Sequence, residues 1–261
     1  METPVALITG ASSGIGAAFA RVLAARGHDL VLVARNESRL DEVGRGLTAE
    51  HSTKIEVLGA DLESGDGVAR VIERLGDAAR PIELLVNNAG FGTTGRFHEL
   101  PLDQEESEIR LNVLALVELT HAALGAMVER GHGGVINVSS LGAYQPTPLS
   151  ATYSATKSFV SSFTNAIHEE LRGTGVKAMV LAPGFTHTEF HKRAGVENKD
   201  QTPGFLWQTA DEVAKMAMKA YDRGRAVCVP GALNVMAAAF SGAMPAAVSR
   251  RVAGMVTKRT Y

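Results

Sequence analysis

The first 27 residues constrain the fold more than any other stretch, because a short apolar run leads through closely spaced glycines into a helical pattern. Residues 5–9 are a strand candidate, Gly10-Ala-Ser-Ser-Gly14-Ile-Gly16 follows, and apolar residues then recur at helical spacing. A glycine turn lets the backbone approach a phosphate, and the helix N-terminus behind it offers free amides. The alternative is a plain turn with a serine N-cap. We favour a dinucleotide site made by Gly10, Ser12, Ser13, Gly14 and Ile15.

The same alternation continues along the chain and predicts the fold class. Short apolar runs are separated by helical or polar segments, and they lie at residues 30–34, 55–58, 82–86, 135–138, 176–181 and 226–229. Strands alternating with helices predict an α/β protein with a doubly wound parallel sheet, a Rossmann-type fold of three α/β/α layers. In such folds ligands bind at the carboxyl ends of the strands. The 261 residues suit a single domain.

Composition excludes several classes of protein. The net charge is only -2, so a nucleic-acid partner is not expected. Cys228 is the single cysteine, so no internal disulfide can form, and we expect a cytoplasmic protein. The first residues, METPVALITG, lack the basic region of a signal peptide. We expect no metal site.

The end of the second strand indicates which dinucleotide binds. An acidic residue about twenty positions after the glycines would hold the ribose 2′-hydroxyl of NAD(H). Here Ala34 and Arg35 occupy that place, and a guanidinium pairs with a 2′-phosphate. The sequence therefore predicts NADP(H) in preference to NAD(H), with Ser13 and Asn36 as helpers. The alternative is that Arg35 is a solvated loop charge.

Other strand ends carry small or polar residues suited to the same ligand. Asp61 and Leu62 follow the third strand. Asp61 has two compatible roles, to accept a hydrogen bond from the adenine amino group and to cap the helix that starts near Ser64, and either or both can hold. Small residues after a strand let a flat ring or a ribose lie close. The remaining predicted cofactor contacts at strand ends are Asn88, Ala89, Gly90, Pro183, Gly184, Thr186 and Thr188.

A tyrosine and a lysine one helical turn apart are the candidate catalytic pair. The strand at residues 135–138 stops at Ser139-Ser140, and a helix is predicted to begin near Ser150. On that helix Tyr153 and Lys157 share a face. An ammonium beside a phenol favours the phenolate, so we predict a lowered pKa for Tyr153 and a role as general acid/base. The alternative is a helix-surface pair without chemistry.

A polar residue interrupts the long helix predicted over residues 102–130. Asn112 stands in an apolar stretch, and a buried asparagine needs hydrogen-bond partners. Asn112 is therefore either a core amide tied to the backbone or a polar group that faces the site.

Together these motifs resemble the short-chain dehydrogenase/reductase family. The sequences TGASSGIG, NNAG, YSATK and PGFTHT occur in family order, with Asn112 in the long helix and a serine thirteen residues before the tyrosine. The resemblance covers roughly residues 4–230 and implies a catalytic tetrad of Asn112, Ser140, Tyr153 and Lys157. It favours Ser140 over Ser139, and it places Tyr153 and Lys157 against the cofactor as well.

The resemblance also implies a reaction and an assembly. NADPH delivers hydride to a carbonyl carbon, Ser140 hydrogen-bonds the carbonyl oxygen, and Tyr153 protonates it. Lys157 lowers the tyrosine pKa and binds the nicotinamide ribose, while Asn112 positions a water that connects Lys157 to solvent. Alcohol oxidation uses the same parts in reverse. A homo-oligomer, dimer or tetramer, would form through the helices at about 102–130 and 150–174.

An irregular aromatic segment indicates an apolar substrate. Residues 187–208 are interpreted as a lid, with a surface insertion as the alternative. We expect a lipophilic small molecule, an apolar ketone, a 3-oxoacyl chain or a steroid-like molecule. Alternative functions are an NAD-linked alcohol dehydrogenase and a non-catalytic dinucleotide-binding redox sensor. The predicted apolar lining is Phe91, Leu141, Tyr144, Phe185, Phe190 and Trp207.

The C-terminal tail, residues 231–261, is the part of the chain with the weakest pattern. Residues 226–249 carry no charge, but glycines, a proline and Asn234 argue against a membrane span, and Arg250 and Arg251 follow. We favour a helix pair that walls the pocket or packs on another subunit. An interfacial helix resting on anionic lipid is the other hypothesis.

Overall fold

A parallel sheet with helices on both faces forms the core of the protein. The computed structural model describes residues 3–190, 204–243 and 250–251. The strands are β1 Val5–Thr9, β2 Asp29–Ala34, β3 Ile55–Gly59, β4 Ile82–Asn87, β5 Gly133–Val138, β6 Val176–Leu181, β7 Thr186–His187, β8 Gln208–Thr209 and β9 Val227–Cys228. Within the described residues, seven of them form one sheet in the order β3-β2-β1-β4-β5-β6-β9, with every pair parallel. The predicted doubly wound α/β fold is confirmed.

The helices form two outer layers around two apolar cores. They are α1 Gly14–Ala24, α2 Glu37–His51, α3 Gly65–Leu75, α4 Leu102–Ile109, α5 Leu116–Arg130, α6 Ala151–Glu170, α7 Ala210–Asp222 and α8 Ala232–Ala243. Buried side chains of α1, α2 and α7 pack on one face of the sheet, and those of α3 and α5, with the end of α6, pack on the other. The strands are covered on both faces, which explains their continuous apolar runs.

The topology opens a crevice at the carboxyl ends of β1 and β4. β1 pairs with β2 on one side and with β4 on the other, so the direction of the crossovers reverses between β1 and β4. Ligands of doubly wound sheets bind at that point. The side-chain amide of Asn88, just after β4, donates a hydrogen bond of 2.9 Å to the Thr9 carbonyl oxygen at the end of β1. This bond fixes the two strand ends relative to each other.

The helix predicted over residues 102–130 is present but is not uniform. A π-helical segment, Arg110–Ala115, separates α4 from α5, and Asn112 lies inside it. Such wide turns occur frequently at functional sites, because they redirect a side chain out of the helical repeat. The predicted helix is therefore confirmed over residues 102–130, and the π-helical segment at its centre was not predicted. Similarly, α6 ends at Glu170 and not at 174, since the chain turns through Gly173 in the left-handed region (φ 82°).

One helix has the length and apolar composition of a membrane span. It runs from Leu102 to Arg130, and 39% of its most apolar window is buried inside the protein. Core helices of globular domains meet the same criterion, and this one packs against α3, β4 and β5. Its apolar composition is explained by that packing.

The predicted lid and tail are only partly within the described residues. Of the lid, residues 187–190 and 204–208 are described, and the remainder lies outside the described residues. In the tail, α8 packs against a short 3₁₀ turn, Leu141–Tyr144, beside the crevice. The second helix of the predicted pair falls at residues 244–261, which lie almost wholly outside the described residues.

Candidate active site

A cleft of about 680 Å³ lies at the carboxyl ends of the strands. This volume is in the range of small-molecule and cofactor sites. The residues predicted to contact cofactor or substrate that line it are Gly10, Ser12, Ser13, Gly14, Ile15, Arg35, Asp61, Leu62, Asn88, Ala89, Gly90, Ser140, Tyr153, Lys157, Pro183, Gly184, Thr186 and Thr188. Asn36, the predicted helper, lines it as well. Asn112 does not line the cleft.

The glycine turn forms one end of the cleft and leaves the start of α1 open. Gly10 has a φ of +67°, and a Cβ at this position would lie 2.8 Å from Asn88 Nδ2, so a larger residue would force the β1 and β4 ends apart. Ser13 is the N-cap residue of α1, but its side chain makes no capping hydrogen bond. The amides at the helix N-terminus are therefore not covered by a serine cap, as an anion site requires.

The rim beyond the glycine turn carries the predicted selectivity residue. Arg35 is an exposed side chain and forms a 3.0 Å ion pair with Glu63. Asp61 does not cap α3: Ser64 does so, because its Oγ accepts a hydrogen bond from Gly67 N, whereas Asp61 Oδ1 accepts from Glu63 N. Of the two roles considered for Asp61, the helix cap is therefore wrong, and Asp61 faces the cleft.

A second arginine at this rim was not identified from the sequence. Arg39 lines the cleft and donates two hydrogen bonds, of 3.2 and 3.0 Å, to the carboxylate of Glu189 across the opening. The hydrogen bonds and charge of Glu189 raise the pKa of Arg39. The signal was available, since the Asn36 side chain caps α2 and so places Arg39 in the first turn, beside Arg35. The partner Glu189 is 150 residues away, and only the fold brings it there.

The two adjacent serines after β5 have different surroundings. Ser139 is buried, and its hydroxyl is tied to α6 by hydrogen bonds of 2.7 Å to the Lys157 carbonyl oxygen and 2.8 Å to Ser161 Oγ. Ser140 caps the following 3₁₀ turn by accepting from Gly142 N, and it also hydrogen-bonds the Tyr153 side chain. Only Ser140 therefore shares a hydrogen bond with the candidate proton donor.

The direction of the Tyr153 pKa shift predicted from the sequence was wrong. Burial raises the pKa of Tyr153 to about 12, with the Ser140 hydrogen bond opposing the rise and the charge of Glu108 adding to it. Burial likewise lowers the pKa of Lys157 to about 8. Lys157 Nζ donates to the Val138 carbonyl oxygen at 3.0 Å and lies 5.8 Å from the Tyr153 ring centre. For the pKa of Tyr153, the rise caused by burial therefore exceeds any lowering by the ammonium.

Asn112 is tied to the backbone behind the cleft, as one of its two predicted roles required. Its Nδ2 donates to the Phe91 carbonyl oxygen (2.8 Å) and to Thr156 Oγ1 (3.2 Å), and its Oδ1 accepts from Phe91 N (3.2 Å). A Cβ added at Gly90 would lie 2.7 Å from Asn112 Oδ1 and 3.3 Å from Lys157 Nζ. Asn112 thus joins the π-helical segment, the β4 end and α6 beside the lysine.

Apolar side chains form the wall near Tyr153. The members of the predicted lining that face the cleft are Phe91, Leu141, Phe185 and Phe190. Phe190 contacts the Tyr153 ring at 5.4 Å between centroids. Tyr144 and Trp207 do not face the cleft, and Trp207 stacks on His187 and packs at a tilt against Phe185. The prediction that these two residues line the cleft was therefore wrong, and Trp207 instead supports Phe185 from behind.

The tail helix α8 supports the same wall but does not line the cleft. Its Asn234 donates to the Pro230 carbonyl oxygen and to Gln208 Oε1, and a Cβ at Gly184 would lie 2.6 Å from Asn234 Nδ2. Its outward side exposes Leu233, Val235, Met236 and Phe240. The packing against the cleft wall agrees with the favoured interpretation of the tail.

Comparison with known proteins identifies relatives across most of the chain. A family model described as short chain dehydrogenase matches residues 4–199. Sulfoacetaldehyde reductase 2 of Chromohalobacter salexigens is 38% identical over 188 residues, which are 71% of this chain and 74% of that protein. A short-chain dehydrogenase from Sphingobium yanoikuyae, solved in complex with NADPH, is 36% identical with a TM-score of 0.83, covering 92% of this chain and 94% of that one.

A third relative is named for its substrate. The bulky-bulky ketone specific alcohol dehydrogenase from Comamonas testosteroni is 32% identical with a TM-score of 0.79, covering 88% of this chain and 87% of that one.

Proposed function

Because this chain belongs to the short-chain dehydrogenase family, we propose that it reduces apolar ketones or 3-oxoacyl-type substrates with NADPH, using Tyr153 as the proton donor. Members of this family are oxidoreductases that act on alcohol and carbonyl groups, and they bind a nucleotide cofactor and a small-molecule substrate. The observation that carries the proposal is that a single cleft holds the glycine turn, Arg35, Ser140 and Tyr153.

The residues of the cleft fit a dinucleotide with a 2′-phosphate. The glycine turn and the uncapped start of α1 would hold the pyrophosphate. Arg35 and Arg39 at the rim would hold the 2′-phosphate, where guanidinium groups make charge-assisted hydrogen bonds. The Sphingobium relative was solved with NADPH, which supports the same choice. When bound, NADPH supplies the hydride that reduces the carbonyl carbon.

The protein side chains would handle the carbonyl oxygen and its proton. Ser140, hydrogen-bonded to Tyr153, would donate to the oxygen as negative charge develops on it. With its pKa raised to about 12, Tyr153 carries its proton at neutral pH and can donate it in the reducing direction. Lys157, held by the Val138 carbonyl, would place its ammonium beside the ribose and the phenol. Asn112 would hold the neighbouring backbone in place.

The substrate would lie between Tyr153 and the aromatic wall. Phe91, Leu141, Phe185 and Phe190 offer an apolar surface, and burial of apolar substrate area there contributes binding energy at about 25 cal/mol per Å². The Comamonas relative is named for bulky ketones, which supports a substrate with apolar groups on both sides of the carbonyl.

A panel of ketones and acyl thioesters, followed at the nicotinamide absorbance with NADPH and with NADH, tests the proposal. We expect turnover of apolar ketones with NADPH and a kcat/KM at least about tenfold lower with NADH, since NADH has no 2′-phosphate for the arginines to bind and so loses about 1.4 kcal/mol or more of binding free energy. No turnover of any carbonyl in the panel, or a preference for NADH, would contradict it. Tyr153→Phe serves as the blank for contaminating reductases.

We also propose that the enzyme is a cytoplasmic homo-oligomer built as a single domain. The outer surfaces of α4–α5 and α6 expose large apolar side chains, including Ile109, Leu114, Val128 and Phe159, and exposed apolar patches mark protein–protein contacts. Sedimentation at micromolar concentration tests this: a species with the mass of one chain would contradict it.

A further inference from the structure

Two buried glutamates lie behind the candidate active site and have no part in the reaction described above. Glu105 and Glu108 are on α4 and are 3% and 0% exposed. Carboxyl groups are seldom buried to this extent unless they are paired or hydrogen-bonded. Their positions, one turn apart, place both on the face of α4 that packs against α6.

A threonine hydroxyl connects the two carboxyl groups. Thr93 Oγ1 lies 2.5 Å from Glu105 Oε1 and 2.9 Å from Glu108 Oε2, and Thr93 N donates to the same Glu108 oxygen at 3.0 Å. A hydroxyl has one proton to donate. Thr93 Oγ1 can therefore donate to only one of the two carboxyl groups at a time, and its contact with the other is a hydrogen bond only when that carboxyl group carries a proton.

The pair adjoins the catalytic helix at two points. Thr152 Oγ1, next to Tyr153 in the chain, makes a short hydrogen bond to Glu105 Oε2. Thr93 follows Gly92, and a Cβ at Gly92 would lie 2.8 Å from Cδ2 of the Tyr153 ring. The segment of residues 90–93 thus touches both groups, the acid pair through Thr93 and the Tyr153 ring at Gly92.

One oxygen of the pair has no hydrogen-bond partner. Glu108 Oε1 is buried and makes no hydrogen bond within the described part of the chain. A buried carboxylate oxygen without a donor is costly, so the group is poised to take up a proton.

We propose that Glu108, coupled through Thr93 to Glu105, is a positioning residue that keeps the proton on Tyr153 and so favours carbonyl reduction. The inference deepens the proposed function and rests on Tyr153 being the proton donor. Glu108 does not line the cleft and touches neither substrate nor cofactor, so it acts through the charge it presents to the catalytic pair.

The charges that face Glu108 set the direction of the effect. They are Glu105 on its own helix and Tyr153 and Lys157 on α6. Burial raises the pKa of Glu108 to about 7, while the Thr93 hydrogen bonds oppose the rise and the Glu105 charge adds to it. Above neutral pH, an ionised Glu108 raises the pKa of both Tyr153 and Lys157, so both hold their protons.

The decisive variants are Glu108→Gln, which removes the charge and keeps the shape, and Glu106→Gln as a matched control. Glu106 is on the exposed face of the same helix, where it pairs with Arg110. We expect Glu108→Gln to move the alkaline limb of ketone reduction to lower pH by about half a pH unit or more, because the phenol and ammonium lose their neighbouring anion. The profile of Glu106→Gln should superimpose on that of the wild type.

A second measurement does not depend on turnover. The full-length protein is labelled with 13C at the glutamate carboxyl groups and at the lysine Cε, and its NMR signals are followed against pH. One glutamate signal should titrate near pH 7, and this signal should be missing from the spectrum of Glu108→Gln. The Lys157 signal is assigned by its absence from the spectrum of Lys157→Met. It should titrate near pH 8 in the wild type and at a lower pH in Glu108→Gln. A failure to reduce any ketone would contradict the proposed function, but the titrations could still be measured and would still test the inference about Glu108.

Two results would overturn the inference. One is a wild-type protein in which no glutamate titrates between pH 6 and 8, a result that stands even if Glu108→Gln does not fold. The other is a folded Glu108→Gln whose Lys157 titration and pH profile match those of the wild type.

Discussion

The ammonium of Lys157 donates a 3.0 Å hydrogen bond to the carbonyl oxygen of Val138, at the last residue of β5. Lys157 is 4% exposed, so this bond anchors a buried cation at the strand end that precedes Ser139 and Ser140. The lysine is thereby held at the floor of the cleft, and its effect on stability can be measured apart from its effect on catalysis.

Replacement of Lys157 by methionine should stabilise the protein at neutral pH. The pKa of Lys157 is lowered from 10.5 to about 8 in the folded state. Below pH 8 this shift reduces the free energy of unfolding of the wild type by about 3 kcal/mol. Between pH 8 and 10.5 the unfolded state binds more protons, so wild-type stability should rise with pH there. Denaturant titrations at pH 7, 9 and 10.5 should show the advantage of Lys157→Met shrinking. A pH-independent difference between the two proteins would contradict this.

The variant Tyr153→Phe should lose carbonyl reduction while keeping the cofactor site. Removing a general acid costs about 10²- to 10⁴-fold in kcat, whereas the NADPH Kd should change by less than about threefold, because the ring remains. Stopped-flow turnover and fluorescence titration measure the two quantities. Tyr144→Phe is the control, since Tyr144 does not face the cleft, and it should behave as the wild type.

The two rim arginines should act on NADPH and not on NADH. Arg35→Ala or Arg39→Ala should raise the KM for NADPH by about 10- to 100-fold, which is the worth of one lost charge-assisted hydrogen bond. The KM for NADH should stay within about twofold. Arg21→Ala, which breaks a surface ion pair with Asp211 away from the cleft, is the matched control. Equal losses with both cofactors would show that the arginines do not hold the 2′-phosphate.

The partner of Arg39 should limit NADPH affinity. Glu189 accepts a hydrogen bond from each terminal nitrogen of the Arg39 guanidinium, so a 2′-phosphate must compete with the carboxylate for this charge. Glu189→Gln should therefore tighten NADPH binding by about two- to fivefold, within the range for an exposed ion pair, and the gain should fall at high salt. Unchanged or weaker NADPH binding at low salt would refute the competition.

Loss of the Asn112 amide should destabilise the fold. Asn112→Ala removes three hydrogen bonds and leaves the half-buried N–H and C=O of Phe91 without these partners, at a cost of about 2–4 kcal/mol. Thr156→Val removes a single one of these bonds and should cost about 1 kcal/mol. Urea denaturation measures both. Equal stability of the two variants would show that the backbone contacts contribute little.

The fold and most of the cleft could be predicted because both depend on local pattern. The apolar runs become strands buried on two faces, and the strand bounds differ from the runs by at most two residues. Strand ends meet at one edge of a parallel sheet, so residues named from different strand ends, such as Gly10, Asn88 and Thr186, line one cleft. Arg39 was overlooked although its neighbour Asn36 carries a capping signal.

Other features depend on distances that a sequence does not contain. The π-helical segment contains Asn112, whose side chain makes two hydrogen bonds with the backbone of Phe91, 21 residues earlier in the chain. Trp207 was predicted to line the pocket because it is aromatic, yet the fold places it behind Phe185. In the sequence, Glu105 and Glu108 belong to what looks like an ordinary polar helix. Their burial becomes visible only in the fold, where α6 packs against α4.

The sequence by itself determined the sheet, the glycine turn and the pairing of Tyr153 with Lys157 on one helical face, because each follows from spacing within a single element. Only the tertiary structure decided the direction in which the pKa of each member of that pair shifts. Desolvation depends on how many elements surround a group, and here it raises the pKa of the phenol and lowers that of the amine, against the expectation from their spacing alone.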